Sequence, residues 1–418
     1  MTEQNPRGED AAEQVAESID GTYDTNARLL IVSKLNAEHQ LFASRLGTVL
    51  SEKGYSQLET IQGEPPAIRS ALFAFDSLGT GFDAIVMPED YTTIVSNIKR
   101  SVPSMSAAPV ISPKSYRWPT FLLTNNLRNV ANQIVVIAII AVGMTMVIIT
   151  AGIDLSVGSL IALSAVVAAW LIREMGGADA TFATMMFASV AAIFMAGLVG
   201  LASGITITQF KVPPFIATLA VMLVASGFAY IIARGESIYE IPDSYVWLGR
   251  GADLFSIPNA VILMVVIYAL AHILMTRTTL GRYIYAVGGN PEAARLSGIR
   301  VDLVLIFVYT VCGMLAGLGG IVQASQLKSG APTYGLLYEL YVIAAVVVGG
   351  TSLQGGEGRI MGTLIGAFII AVIQNGMNLT GVESYTQKVV LGLVILLAVL
   401  LDMLKKRSWG KKKAATIA

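Results

Sequence analysis

Apolar and polar positions follow two different rules along this chain, and the change falls between residues 113 and 130. Before it, short β-branched runs alternate with amphipathic stretches. "RLLIVSKL" and "SQLETIQG" read as strands, "EHQLFASRLGTVLSEKGY" as a helix, and "PPAIRSALFAFDSLGTG" as a helix opened by proline and closed by glycine. "FDAIVMPED" is a strand that delivers a proline and two acids to a loop, "YTTIVSNIKRSV" a helix, and "APVIS" a last short strand. This alternation predicts a small soluble α/β unit with a parallel sheet over residues 27–113. The polar, acidic residues 1–26 predict a disordered tail, and no basic stretch leads into an apolar one as in a signal peptide.

After a linker over 114–129, charge-poor runs follow one another at 130–150, 156–172, 182–208, 214–233 and 258–276. A charged interval precedes four more, at 303–323, 340–350 with its flanks, 360–380 and 389–401. Runs of about 20 apolar residues cross roughly 30 Å of hydrocarbon, so the expected fold is an α-helical polytopic membrane protein of about nine hydrophobic spans behind a small N-terminal soluble α/β unit. The membrane domain is expected over 130–404 and a basic tail over 405–418. Arg277, Arg282, Arg295 and Arg300 fall in one loop, and six Lys/Arg in "KKRSWGKKKAATIA", so both are expected on the cytoplasmic side. Counting back five crossings from the first of these sets the soluble unit outside, which conflicts with the lack of a signal peptide and leaves its side open.

Composition agrees: 54% of residues are hydrophobic and 13% charged, far from an average soluble domain. The formal net charge is +0 and no basic patch is interleaved with aromatics, which excludes nucleic acid as a partner. Cys312 is the single cysteine, so no intrachain disulfide forms. His39 and His272 lie in different halves, and the chain has no H-E-x-x-H, no CxxC and no nucleophile elbow, so neither a metal site nor a catalytic constellation is expected.

Candidate chemistry therefore lies in the breaks. Asp154 is the only ionisable residue between Arg128 and Arg173. It follows Gly152 at the junction of two apolar runs, where it either caps the next helix or takes part in a solute path. Ser156, Gly158, Thr351, Ser352, Gln374 and Asn375 are further candidates for that path or for helix breaks. The glycine-rich "VVVGGTSLQGGEGRIMGTLIG" lacks the G-x-x-x-x-G-K-[ST] of a phosphate loop, so ATP must bind a partner. Its glycines predict close helix packing or a broken helix, and its pattern weakly repeats "GIDLSVGSLIAL". Glu339, just before it, is expected at a membrane edge.

"GRYIYAVGGNPEAARLSGIRVD" sets a short helix-forming run between glycine breaks, with Pro291 at its first position, Gly298 as its stop, and Glu292 and Arg295 on one face. Together with "AVGMTMVIITAGIDLSVGSLIALSAVVAA" and "YELYVIAAVVVGGTSLQGGEGRIMGTLIGAFIIAVIQNGMNLTGV", in order and spacing, this segment resembles the permease subunits of bacterial ribose/xylose/galactose-type ABC importers. The resemblance covers residues 120–406 and implies a multi-pass protein of the bacterial inner membrane. It implies a second permease subunit forming a homodimer, an extracytoplasmic sugar-binding protein, and an ATP-binding cassette subunit that holds ATP and Mg. Carried over, Gly281, Asn290, Pro291, Glu292, Ala293, Ala294, Arg295 and Gly298 belong to the ATPase-coupling loop. Members of the family have a further span before "TNNLRNVANQ", where this chain has its soluble unit. That unit resembles half of a periplasmic sugar-binding lobe, with a generic flavodoxin-like unit as the alternative. Rival readings are an ATP-independent secondary transporter or channel, and a sensor that uses the N-terminal unit.

Overall fold

The computed structural model describes residues 2–4, 6, 8–114, 116–254, 256–394, 396, 397 and 400. The chain divides into two units, Met1–Leu123 and Thr124–Ala418.

In the first unit the elements run β1 (Thr2–Gln4), α1 (Gly8–Asp20), β2 (Leu29–Ser33), α2 (Ala37–Glu52), β3 (Leu58–Gln62), α3 (Pro65–Ser77), β4 (Ala84–Val86), α4 (Thr92–Lys99), β5 (Val110–Ile111) and β6 (Tyr116–Trp118). A parallel four-stranded sheet has the order β3-β2-β4-β5, and β1 pairs antiparallel with β6. Helices cover both faces, so β2 is buried along its whole length. The acidic stretch expected to be a disordered tail is instead α1. Its Ala11, Ala12, Val15, Ala16 and Ile19 recur at helical spacing and pack on Phe42, Leu46 and Leu50 of α2. Three of those five are alanines, which contribute little hydrophobicity, and the acids conceal the stripe. Glu13 and Asp20 pair with Arg45 and Lys53 at 2.7 Å each; exposed pairs of this kind add about 0–1 kcal/mol and mainly set register. Replacing the fully buried Ile19 with alanine is expected to lower the opening free energy of α1 by about 2–4 kcal/mol. Hydrogen exchange across residues 8–20 checks this, and unchanged protection would mean that α1 is not docked.

The second unit contains α5 (Thr124–Ile149), α6 (Val157–Glu174), α7 (Phe182–Gln209), α8 (Pro214–Ala233), α9 (Trp247–Arg250), α10 (Asn259–Arg277), α11 (Thr279–Gly289), α12 (Pro291–Leu296), α13 (Val301–Leu327), α14 (Tyr338–Val348) and α15 (Ile360–Leu379). Among the described residues seven helices, rather than nine, are long and apolar enough to cross a membrane. The first starts at Thr124, inside the expected linker, because its opening turns are polar. It forms the centre of the bundle, and every residue from 134 to 150 is buried. By contrast α7, α8 and α10 present Phe187, Phe194, Leu223, Ile231, Val265 and Leu270 outward. Such a large apolar surface suits hydrocarbon rather than water. Where α7 crosses α13, Gly200 and Gly313 bring the two backbones together.

The run expected to span at 340–350 is α14, whose 11 residues reach only about 16 Å. Turns over residues 332–337 precede it. Gly330 rests on Ala165 and Ala169 of α6, and Gly335 on Gly158 and Ile161, so the chain runs antiparallel along α6 for roughly 10 Å before α14 begins. This stretch is therefore a run of turns followed by a short helix, a form tolerated within a membrane where protein covers the backbone. Gly362 and Gly366 of α15 then pack on the backbone of Gly349 and Ala345. The run at 389–401 reaches beyond the described residues, and the basic tail at 405–418 lies wholly outside them.

Candidate functional site

Local capping builds the segment between α10 and α13. Thr278 Oγ1 accepts from the Gly281 N–H at 3.2 Å and starts α11, while Gly281 itself packs against the carbonyls of Leu274 and Met275. Asn290 Oδ1 accepts from the Ala293 N–H at 3.0 Å, Pro291 occupies the first turn, and α12 follows. The segment stops at Gly298, whose φ of +84° is left-handed. Arg295 lies 3.4 Å from Glu292 and 4.0 Å from Asp302, so α12 is tied to the start of α13. Ala294 is buried; Pro291, Glu292, Ala293 and Arg295 are exposed. Leu296 is 90% exposed, an apolar side chain in the open at the end of a rigid helix. Sequence reasoning missed it, because a leucine beside a charged run looks like a core position.

The other candidates do not form one cluster. Ala151, at φ +61°, turns the chain out of α5, at a cost of about 1–2 kcal/mol for a residue with a Cβ. Residues 150–156 then run without helix to the start of α6. Within them Asp154 is fully buried. Its Oδ1 accepts from the Ser156 N–H at 2.9 Å and from Ser156 Oγ at 2.6 Å, so it fixes the residue that opens α6 rather than the helix's own first N–H groups. Its other oxygen, Oδ2, is buried without a hydrogen-bond partner among the described residues. Thr218 Oγ1 of α8 donates to the Pro214 carbonyl of its own helix at 2.9 Å and lies 3.3 Å from the Ile153 carbonyl, so α8 packs against the break from the other side. Gly158 faces the Glu339 carboxylate and the Gly335 carbonyl. Glu339, partly buried, thus lies against the start of α6.

Thr351 and Ser352 are buried in the turn between α14 and α15. The Ser352 N–H donates to Glu357 O at 3.0 Å and closes that turn. Asn375 is elsewhere: it exchanges hydrogen bonds of 2.9 and 3.0 Å with Asn126, tying α15 to the first turn of α5. Gln374, its neighbour on α15, is half-buried. Beside the turn a cleft of about 820 Å³ is lined by His272, Tyr285, Glu357 and Arg359 among others. Tyr285 donates to the Gly358 carbonyl at 2.7 Å. Burial pushes its hydroxyl above the ordinary phenol range, partly offset by Arg359, so it stays a donor at neutral pH.

A bundle with an apolar outer surface, an extended break with a buried carboxylate and a capped short helix anchored by Ala294 with its other side chains exposed fit a membrane permease subunit. The chain belongs to the family described as branched-chain amino acid transport system / permease component, whose profile matches residues 126–399. It is 46% identical over 292 residues to the ribose import permease protein of Escherichia coli strain K12, covering 69% of this chain and 88% of that one. The ribose import permease protein of Bacillus subtilis strain 168 is 45% identical over 289 residues, 69% and 87% of the two chains. The galactose/methyl galactoside import permease protein of E. coli K12 is 37% identical over 309 residues, 71% and 91%. No solved structure matches.

Proposed function

We propose that this chain is the permease subunit of an ATP-driven importer that moves a ribose-, xylose- or galactose-class sugar across the bacterial inner membrane by alternating access. One observation carries the reading: the family match takes in both α12 and the α5–α6 break, and relatives matched over 88% and 91% of their length are named ribose and galactose import permeases. In this reading α12 faces the cytoplasm, as does the C-terminus, and docks an ATP-binding cassette subunit. That partner holds ATP and Mg and carries out the hydrolysis. A second permease subunit completes the pathway, and an extracytoplasmic binding protein delivers the sugar.

The chemistry suits a neutral, hydroxyl-rich solute. A charged substrate calls for fixed charges along its path, whereas α5, α6 and the break between them carry a single buried acid already engaged by Ser156. Broken helices bring backbone N–H and C=O groups into the bundle, where hydroxyls find partners. Deleting residues 290–298 is expected to abolish co-purification with the ATP-binding subunit while the chain still inserts. Association that survives the deletion would defeat this reading.

A further inference from the structure

The coupling segment and the helix break meet at one place. The Gly356 N–H donates to the carbonyl of Ile149, the last residue of α5, at 2.8 Å. Gly288, in the last turn of α11, is buried at the same point. A Cβ on it would overlap that carbonyl oxygen and stand 2.7 Å from the Gly356 nitrogen. Gly355, at φ +84°, closes the third side: a Cβ there would stand 2.8 Å from the Gly288 carbonyl and 2.9 Å from the Ala151 side chain. Three segments distant in sequence therefore touch backbone to backbone. One turn earlier on α11, Tyr285 bonds to Gly358, and one residue beyond Gly289 the Asn290 N–H bonds back to Ala286 O at 3.1 Å as α12 begins.

Side chains absorb small displacements by changing rotamer, whereas packed backbone moves with its neighbour. A shift of α12 along α11 thus reaches the Ile149 carbonyl without a compliant element between them. From there only residues 150–153 separate it from Asp154. We infer that Tyr285, Gly288 and Gly356 form a positioning joint that carries displacement of α12 to the α5–α6 break and so sets the conformation of the Asp154 segment. The inference rests on the permease reading, since it takes α12 as the point where the ATPase pushes.

The test uses the full chain, reconstituted in proteoliposomes with its ATP-binding subunit and binding protein, with ribose as the probe. Uptake and ATP hydrolysis are measured together. Tyr285→Phe removes one hydrogen bond and little volume. It is expected to leave assembly intact and hydrolysis within about two-fold, while ribose moved per ATP falls at least about five-fold. Gly288→Ala is expected to reduce uptake at least about ten-fold with the ATP-binding subunit still bound. Gly227→Ala, in open space on α8, is the control and keeps uptake within about two-fold. Wild-type ribose per ATP in Tyr285→Phe would overturn the joint, even if Gly288→Ala fails to reach the membrane. Wild-type protein that neither binds an ATPase nor takes up ribose would overturn the permease reading and the joint with it.

Discussion

Asp154→Ala is expected to eliminate uptake and to lower the amount of chain in the membrane, whereas Asp154→Asn keeps both near wild type. The difference follows from what Asp154 does with one of its two oxygens. Oδ1 satisfies two buried donors of Ser156, and each donor left without an acceptor costs about 1–3 kcal/mol. Alanine removes that acceptor from a site with no solvent access, while asparagine retains a carbonyl oxygen at the same position. Membrane level is read by immunoblot and transport by labelled-ribose uptake. If Asp154→Asn reaches wild-type levels but does not transport, the charge itself is required, and the carboxylate belongs to the path rather than to the support of α6.

What the sequence disclosed depends on how local the determining physics is. The long spans were legible because hydrocarbon demands an uninterrupted apolar run whatever packs beside it. α12 was legible because Asn290, Pro291 and Gly298 act on their own neighbours. The run at 340–350 is a short helix rather than a helical span, since apolar composition does not reveal that Gly330 and Gly335 lay a run of turns along α6 ahead of it. α1 was missed for the opposite reason: its buried face is mostly alanine, and its acids look like those of a solvated tail until Arg45 and Lys53 are brought opposite them. The path candidates separated because polar residues in apolar runs look alike in one dimension. Asn375 ties two helices together, whereas Ser156 serves Asp154. The meeting of Ile149, Gly288 and Gly356 could not be read at all. A glycine signals that something comes close, but the atom that comes close is chosen by packing between segments more than 60 residues apart.

Leu296→Asp is expected to weaken association with the ATP-binding subunit by about ten-fold or more, whereas Glu292→Ala changes it by less than about five-fold. The two residues share one short helix, so the contrast separates burial from charge. Leu296 has 90% of its surface exposed in the isolated chain, and covering a leucine contributes about 1.5–3 kcal/mol. An aspartate there loses that contribution and adds a desolvation penalty. Glu292 is also exposed, and its pairing with Arg295 at 3.4 Å is a contact in high dielectric that a partner need not disturb. Neither substitution touches Ala294, the buried anchor of α12, so the helix should stay docked and the chain should insert normally. Titration of detergent-solubilised complex against the ATP-binding subunit reads both values. Equal losses from the two variants would mean that the partner recognises the charge pattern of α12, and equal indifference would mean that it docks elsewhere.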